Sequence, residues 1–241
     1  MHQTEHKLGF PKPNLKVLSP QFMSLKEDIT NLTKRAKTAS HQLASLTEAD
    51  KNKYLFAMAD AIDANSDAII SENSKDIANG DKMGLSKALL DRLLLDNDRI
   101  TSMSSGLREV ADLSDPVGRV LEERKRPNGL QLTKISAPIG VIVIIYESRP
   151  NVTADAASLC FKSGNATILR GGKEAINSNR IIAEIMVNAA KEISSEFPID
   201  AIQVVPTTDR AAIPELLSKI DHVDLCIPSC LLYTSPSPRD S

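Results

Sequence analysis

Residues 139–175 read IGVIVIIYESRPNVTADAASLCFKSGNATILRGGKEA, and the succession of textures within them decides the fold class. The run 139–146 is apolar on both faces, as a strand inside a covered parallel sheet must be. Pro150 then opens a helical stretch over 152–163, and ATILR (166–170) returns to strand character. Two glycines lead into a long amphipathic helix over about 174–195. On it Ile181, Ile185 and Ala189 form one stripe, with Ile182 and Met186 beside it. Downstream the alternation continues as strand 201–206, helix 208–220 and strand 222–228. Strand–helix–strand repetition of this kind predicts a doubly wound, Rossmann-type α/β sheet with right-handed crossovers. Ligands of such sheets sit at the carboxyl ends of the strands.

Upstream of this core, the period shortens to two in GRVLEERKRPNGLQLTKISAP. Two extended arms flank Pro127-Asn128-Gly129, which predicts an extended β-hairpin over about 117–137. An isolated hairpin is unstable in water, so a partner sheet or a second subunit is expected to cover it. Further upstream the pattern is helical. One helix begins near Met23, and a second is N-capped by Thr47 with Asp50 three residues on, running through about 73. Its apolar face carries Tyr54, Met58, Ala61 and Ile62. A third covers about 85–112, with Leu89, Leu93, Ile100, Met103 and Leu107 as core candidates. Residues 1–22 hold Pro11, Pro13 and Pro20 and no periodicity, so they read as a disordered extension, with Met23 an alternative start. At the far end SCLLYTSPSPRDS (229–241) has neither periodicity nor a partner in the fold. It reads as a non-native or disordered tail, leaving 23–228 as the nucleotide-binding domain with its N-terminal helices and hairpin.

The bulk numbers narrow the function classes. Of 241 residues, 41% are apolar, enough to bury a core, and the net charge of −2 comes from interleaved acids and bases. Neither nucleic acid nor an anionic membrane is favoured by that balance. The longest apolar run is far shorter than a membrane span. Cys160, Cys226 and Cys230 form no disulfide framework, which fits reduced thiols and a cytoplasmic protein. His2, His6, His41 and His222 are too scattered to predict a metal site.

Most catalytic motifs are missing. No strand is followed by G-x-G-x-x-G, and no G-x-S-x-G elbow occurs. RGGK imitates a P-loop ending, but Thr167 stands where its first glycine belongs and Glu174 where its Mg²⁺-binding hydroxyl belongs. What remains is strand, Gly171-Gly172, helix. The glycines allow close backbone approach, and the helix start offers N–H groups to an anion. Arg170 and Lys173 add positive charge, which suits a ribose 2′-phosphate and hence NADP(H). A plain turn with solvated charges is the alternative. Cys160 lies on the apolar stripe of its helix with Ala156, Ala157 and Phe161, opposite Asp155, Ser158 and Lys162. That placement predicts a buried, inert thiol, and Cys226, inside an apolar strand, reads the same way.

The stretch 138–179, above all YESRPNVTADAASL and KSGNATILRGG, closely resembles the γ-glutamyl phosphate reductases (glutamate-5-semialdehyde dehydrogenases) of the aldehyde dehydrogenase superfamily. The resemblance runs from about Met23 to Pro228. It implies NADPH-dependent reduction of L-glutamyl 5-phosphate to L-glutamate 5-semialdehyde and phosphate, a step of proline biosynthesis, through a cysteine thioacyl intermediate. It also implies that the Asn151 amide stabilises the oxyanion. Arg170, Gly171 and Gly172 would belong to the adenosine-ribose segment, and Lys173 stands where many NAD-dependent relatives carry glutamate. The match departs after Pro228, where the family continues Arg-Gly-Gly and this chain has Ser229-Cys230. The family's nucleophilic cysteine lies further on still, so the chain is expected to be an inactive N-terminal part without the catalytic domain. When full length, the protein is expected to form a homo-oligomer through the hairpin. The alternatives are a non-catalytic nucleotide-binding or dimerisation module, or another member of the superfamily.

Overall fold

The computed structural model describes residues 24–229. The extension expected over 1–22 and nearly all of the segment 229–241 lie outside them, as does Cys230. A four-stranded parallel sheet forms the centre, in the order β5–β4–β3–β6, from β3 (Val141–Tyr146), β4 (Ala166–Arg170), β5 (Ile202–Val204) and β6 (Leu225–Ser229). The chain starts at β3, builds outward through β4 and β5, then returns to pair β6 with the free side of β3. The order therefore reverses between β3 and β6, where a doubly wound sheet opens its binding crevice. β3 and β4 are buried at every position because helices cover both faces.

Eight α-helices surround the sheet among the described residues: α1 (Leu25–Leu43), α2 (Glu48–Ala64), α3 (Ser66–Lys82), α4 (Lys87–Leu93), α5 (Asn97–Asp112), α6 (Asn151–Lys162), α7 (Ile176–Ile193) and α8 (Ala212–Leu217). Ser24 with Glu27, and Thr47 with Asp50, form reciprocal capping boxes at the starts of α1 and α2. Tyr54, Phe161 and Phe197 meet as an aromatic cluster, with Tyr54 edge-on to Phe161, joining α2, α6 and the segment before β5. None of the described helices is long and apolar enough to cross a membrane.

Two expected helices are each a pair. The helix expected through residue 73 breaks at Asn65, whose side-chain amide donates to the Ala61 carbonyl at 2.7 Å and closes α2 before α3 begins. The one expected over 85–112 breaks at 94–96, because the Asp96 side chain accepts the Arg99 N–H and starts a new helix. Leu89 is consequently only half-buried, whereas Leu93, Ile100, Met103 and Leu107 are core residues. The last helix and the strands beside it are shorter than expected, and β6 includes Ser229, which pairs opposite Tyr146.

The hairpin is β1 (Val120–Lys125) with β2 (Gln131–Ile135), antiparallel around Asn128-Gly129 and exposed along its full length. It forms a sheet of its own. At the entry to β3, Gly140 has φ +126°, and a Cβ there would come within 2.2 Å of an Asp224 carboxylate oxygen. That carboxylate accepts the Val141 N–H at 2.8 Å and a Lys37 ammonium at 2.7 Å, tying β3, the start of β6 and α1 together.

Candidate functional site

Two cavities flank the segment that links β3 to α6, and the first lies at the carboxyl ends of β3 and β4. The first, of about 530 Å³, is lined by Tyr146, Glu147, Arg170, Gly172, Lys173 and Arg210 among others. The second, of about 420 Å³, holds Arg149, Asn151 and Asp155 from the other end of that segment, facing α4 and α5.

Polar side chains crowd Gly171 and Gly172 at the first cavity. A Cβ on Gly171 would meet the buried amide of Asn179 at 2.0 Å, and one on Gly172 would meet the Glu174 carboxylate at 2.0 Å. Glu174 is held there by the Ser148 N–H and hydroxyl, both at 2.8 Å. Ser148 takes a φ of +39°, so this contact fixes an uncommon backbone turn at the cleft. Hydrogen bonds tie Tyr146 of the cavity lining to the residues behind it. Tyr146 pairs with Thr153 at 2.7 Å, and Thr153 donates to Asn179 at 3.0 Å. Burial pushes the Tyr146 phenol well above its usual range, so it stays protonated and is no base.

Lys173 and Arg210 are exposed at this cavity. Arg170 is not placed as its position at a strand end suggested. Its guanidinium is 7% exposed and donates to the carbonyls of Gly171, Thr208 and Asp209, pinning the β5–α8 loop against β4. The exposed cation beside Lys173 is Arg210, which sequence reasoning missed. The signal available was its place in a βα loop after a parallel strand. Nor does α7 begin directly after the glycines, since a 3₁₀ turn over Lys173–Ala175 intervenes.

In the second cavity the Asn151 amide nitrogen donates to Asp155 Oδ2 at 3.0 Å. Asn151 and Asp155 are one helical turn apart, and the contact orients the amide with its NH₂ end along the cavity wall. One N–H is used, and the second remains for a ligand. Burial raises the Asp155 carboxyl above the ordinary range, and the bond from Asn151 opposes that rise.

Neither described cysteine lines these cavities. Cys160 is buried, and desolvation raises its thiol, as the apolar stripe predicted. The side of α6 opposite that stripe is covered as well, with Asp155 half-buried. Ser158 is in the core, and Lys162 donates to the Asn52 side chain and the Ala111 carbonyl at 2.7 Å. Cys226 departs from its expected burial. It is only partly covered because β6 is an edge strand whose other residues are exposed. The described residues contain no cluster of side chains suited to a metal ion.

A sequence model described as the aldehyde dehydrogenase family matches residues 14–226. The chain belongs to the aldehyde dehydrogenase family. Among curated relatives, γ-glutamyl phosphate reductase of Syntrophomonas wolfei is 50% identical over 205 residues, which is 85% of this chain and 48% of the relative. The enzyme of that name from Rhodopirellula baltica is 48% identical over 208 residues, again 48% of its own length. This chain thus spans about half the length of the curated relatives it matches. The crystal structure of γ-glutamyl phosphate reductase from Thermotoga maritima superposes with a TM-score of 0.81 at 35% identity, covering 84% of this chain and 49% of that one. A probable aldehyde dehydrogenase from Listeria monocytogenes has a TM-score of 0.63 at 15% identity and shares the fold. Membership of this dehydrogenase family implies a nicotinamide cofactor.

Proposed function

We propose that this chain supplies the cofactor-binding part of a γ-glutamyl phosphate reductase, which reduces L-glutamyl 5-phosphate with NADPH in the cytoplasm. The observation that carries this reading is the pair of cavities flanking the 145–151 segment, one lined by Gly172, Lys173 and Arg210 and the other presenting an amide held by Asp155. When bound, the nicotinamide cofactor would supply hydride.

The chain's own residues hold and orient. Gly171 and Gly172 allow the backbone to approach a ribose, while Lys173 and Arg210 offer charge to a 2′-phosphate. The uncommitted N–H of Asn151 would donate to the oxygen of the acyl group as negative charge develops on it. That hydrogen bond strengthens in the transition state because the amide is already fixed by Asp155. Cys160 takes no part, since burial keeps it a thiol. The exposed hairpin, with Leu132 and Ile135 41% and 55% exposed, would be covered by a second copy.

A chimera joining residues 23–228 to the carboxyl-terminal half of the Thermotoga relative tests the reading. It is expected to reduce NADP⁺ with glutamate 5-semialdehyde only when phosphate is present. Asn151→Ala should lower kcat by about 10²–10³-fold. Phosphate-independent turnover, or turnover indifferent to Asn151, would contradict the reading. The 241-residue chain alone is expected to show no turnover.

A further inference from the structure

The second cavity contains charges that an oxyanion donor does not need. Arg92 from α4 and Arg149 from the β3–α6 segment line it, and neither side chain hydrogen-bonds to the protein among the described residues. Arg99 also lines it but is already neutralised, donating to Asp91 Oδ1 at 2.9 Å and to the Leu94 carbonyl at 2.9 Å. Asp155 lines the same cavity, half-buried, with Oδ2 bound to Asn151 and no protein donor on Oδ1 among the described residues. A site for a simple anion would gain nothing from a carboxylate at this place, because it would repel the ligand. A site for a ligand bearing both signs would need one.

We infer that Asp155 receives the α-ammonium group and Arg149, with Arg92, the α-carboxylate of an amino-acid substrate whose side-chain acyl group lies at Asn151. This rests on the function proposed above and deepens it by naming what makes the site select an α-amino acid. Asn151 and Asp155 lie one turn apart on α6, with the Asn151 amide nitrogen 3.0 Å from Asp155 Oδ2, so one small ligand can meet both side chains. The cost of burying the Asp155 carboxylate, visible as its raised proton affinity, would fall when an ammonium group arrives.

Amide chemical shifts of the isotope-labelled 241-residue chain test this with three probes. L-Glutamine carries a neutral γ-carbonyl and the whole amino-acid head, glutaramate lacks the ammonium, and 4-aminobutanamide lacks the carboxylate. L-Glutamine is expected to shift the amides of 149–155 and of Arg92, with glutaramate at least about tenfold weaker. Asp155→Asn should abolish that preference while leaving the spectrum folded. Arg149→Gln should instead equalise L-glutamine and 4-aminobutanamide. Equal binding of L-glutamine and glutaramate by the unsubstituted chain, a preference that survives Asp155→Asn, or no shift with L-glutamine would overturn the inference. NADPH is added to the same samples. Shifts at 170–174 with NADPH but none with L-glutamine would sink this inference alone, whereas no response to NADPH would count against the proposed function itself.

Discussion

Cys160 and Arg170 show what a single residue reveals through its neighbours in sequence and what it hides. The burial of Cys160 was legible because its partners on the stripe, Ala157 and Phe161, lie within one helical turn. Arg170 was not, because the carbonyls it binds at Thr208 and Asp209 come from another crossover of the sheet. A cation at a strand end reads as a ligand contact until the loop that claims it is located. The exposure of Cys226 was hidden for a similar reason, since an apolar strand says nothing of whether a neighbour covers it. For Cys160 the account is testable in a Cys226→Ala, Cys230→Ser background. Because burial raises its thiol, less thiolate is present at any given pH, and the labelling profile shifts to the alkaline side. Iodoacetamide at pH 7.5 is expected to modify the folded chain on the order of a hundredfold more slowly than the chain in urea. Comparable rates in the two states would show that the thiol is accessible and reopen its candidacy as a nucleophile.

At the scale of elements, the alternation of β3 through β6 was readable because each strand is a short apolar run bounded by turn residues. The breaks within the N-terminal helices were harder, since Asn65 and Asp96 look like ordinary polar positions on long amphipathic patterns. Hidden too was the link that seats α7. Asp76 of α3 is 1% exposed and accepts from the Ser178 N–H and hydroxyl, at 2.8 and 2.6 Å, and from the Asn177 side chain at 2.8 Å. It places a negative charge at the start of α7, where the helix dipole favours one, and it satisfies amides that the helix leaves free. Asn73 completes the junction by donating to the Leu93 carbonyl and accepting the Leu95 N–H, both at 2.8 Å. Asp76→Ala would strand several buried donors at once. Urea denaturation is expected to show a loss of about 2–4 kcal/mol. A loss under about 0.5 kcal/mol would mean that water or a shift of α7 replaces the carboxylate.

For the whole molecule, strand order places the chemistry. Sequence alternation predicted the parallel sheet, but only the pairing of β6 with β3 shows where the order reverses, and the first cavity lies at the carboxyl ends of β3 and β4, on the β5 side of β3. Lys173 could be read as a cofactor contact from its position after Gly171-Gly172, while Arg210 became visible only when β5 and β4 were seen side by side. Asp155 escaped notice altogether because it served only to mark the polar side of a helix. The central claim is that the cleft between β4 and β5 takes a nucleotide bearing a 2′-phosphate. Fluorescence titration of the chain with NADPH and with NADH tests it most directly. NADPH should bind at least about tenfold more tightly at low salt, and Lys173→Glu should remove that advantage. Equal affinity for the two cofactors, or a preference for NADPH that survives Lys173→Glu together with Arg210→Ala, would contradict it.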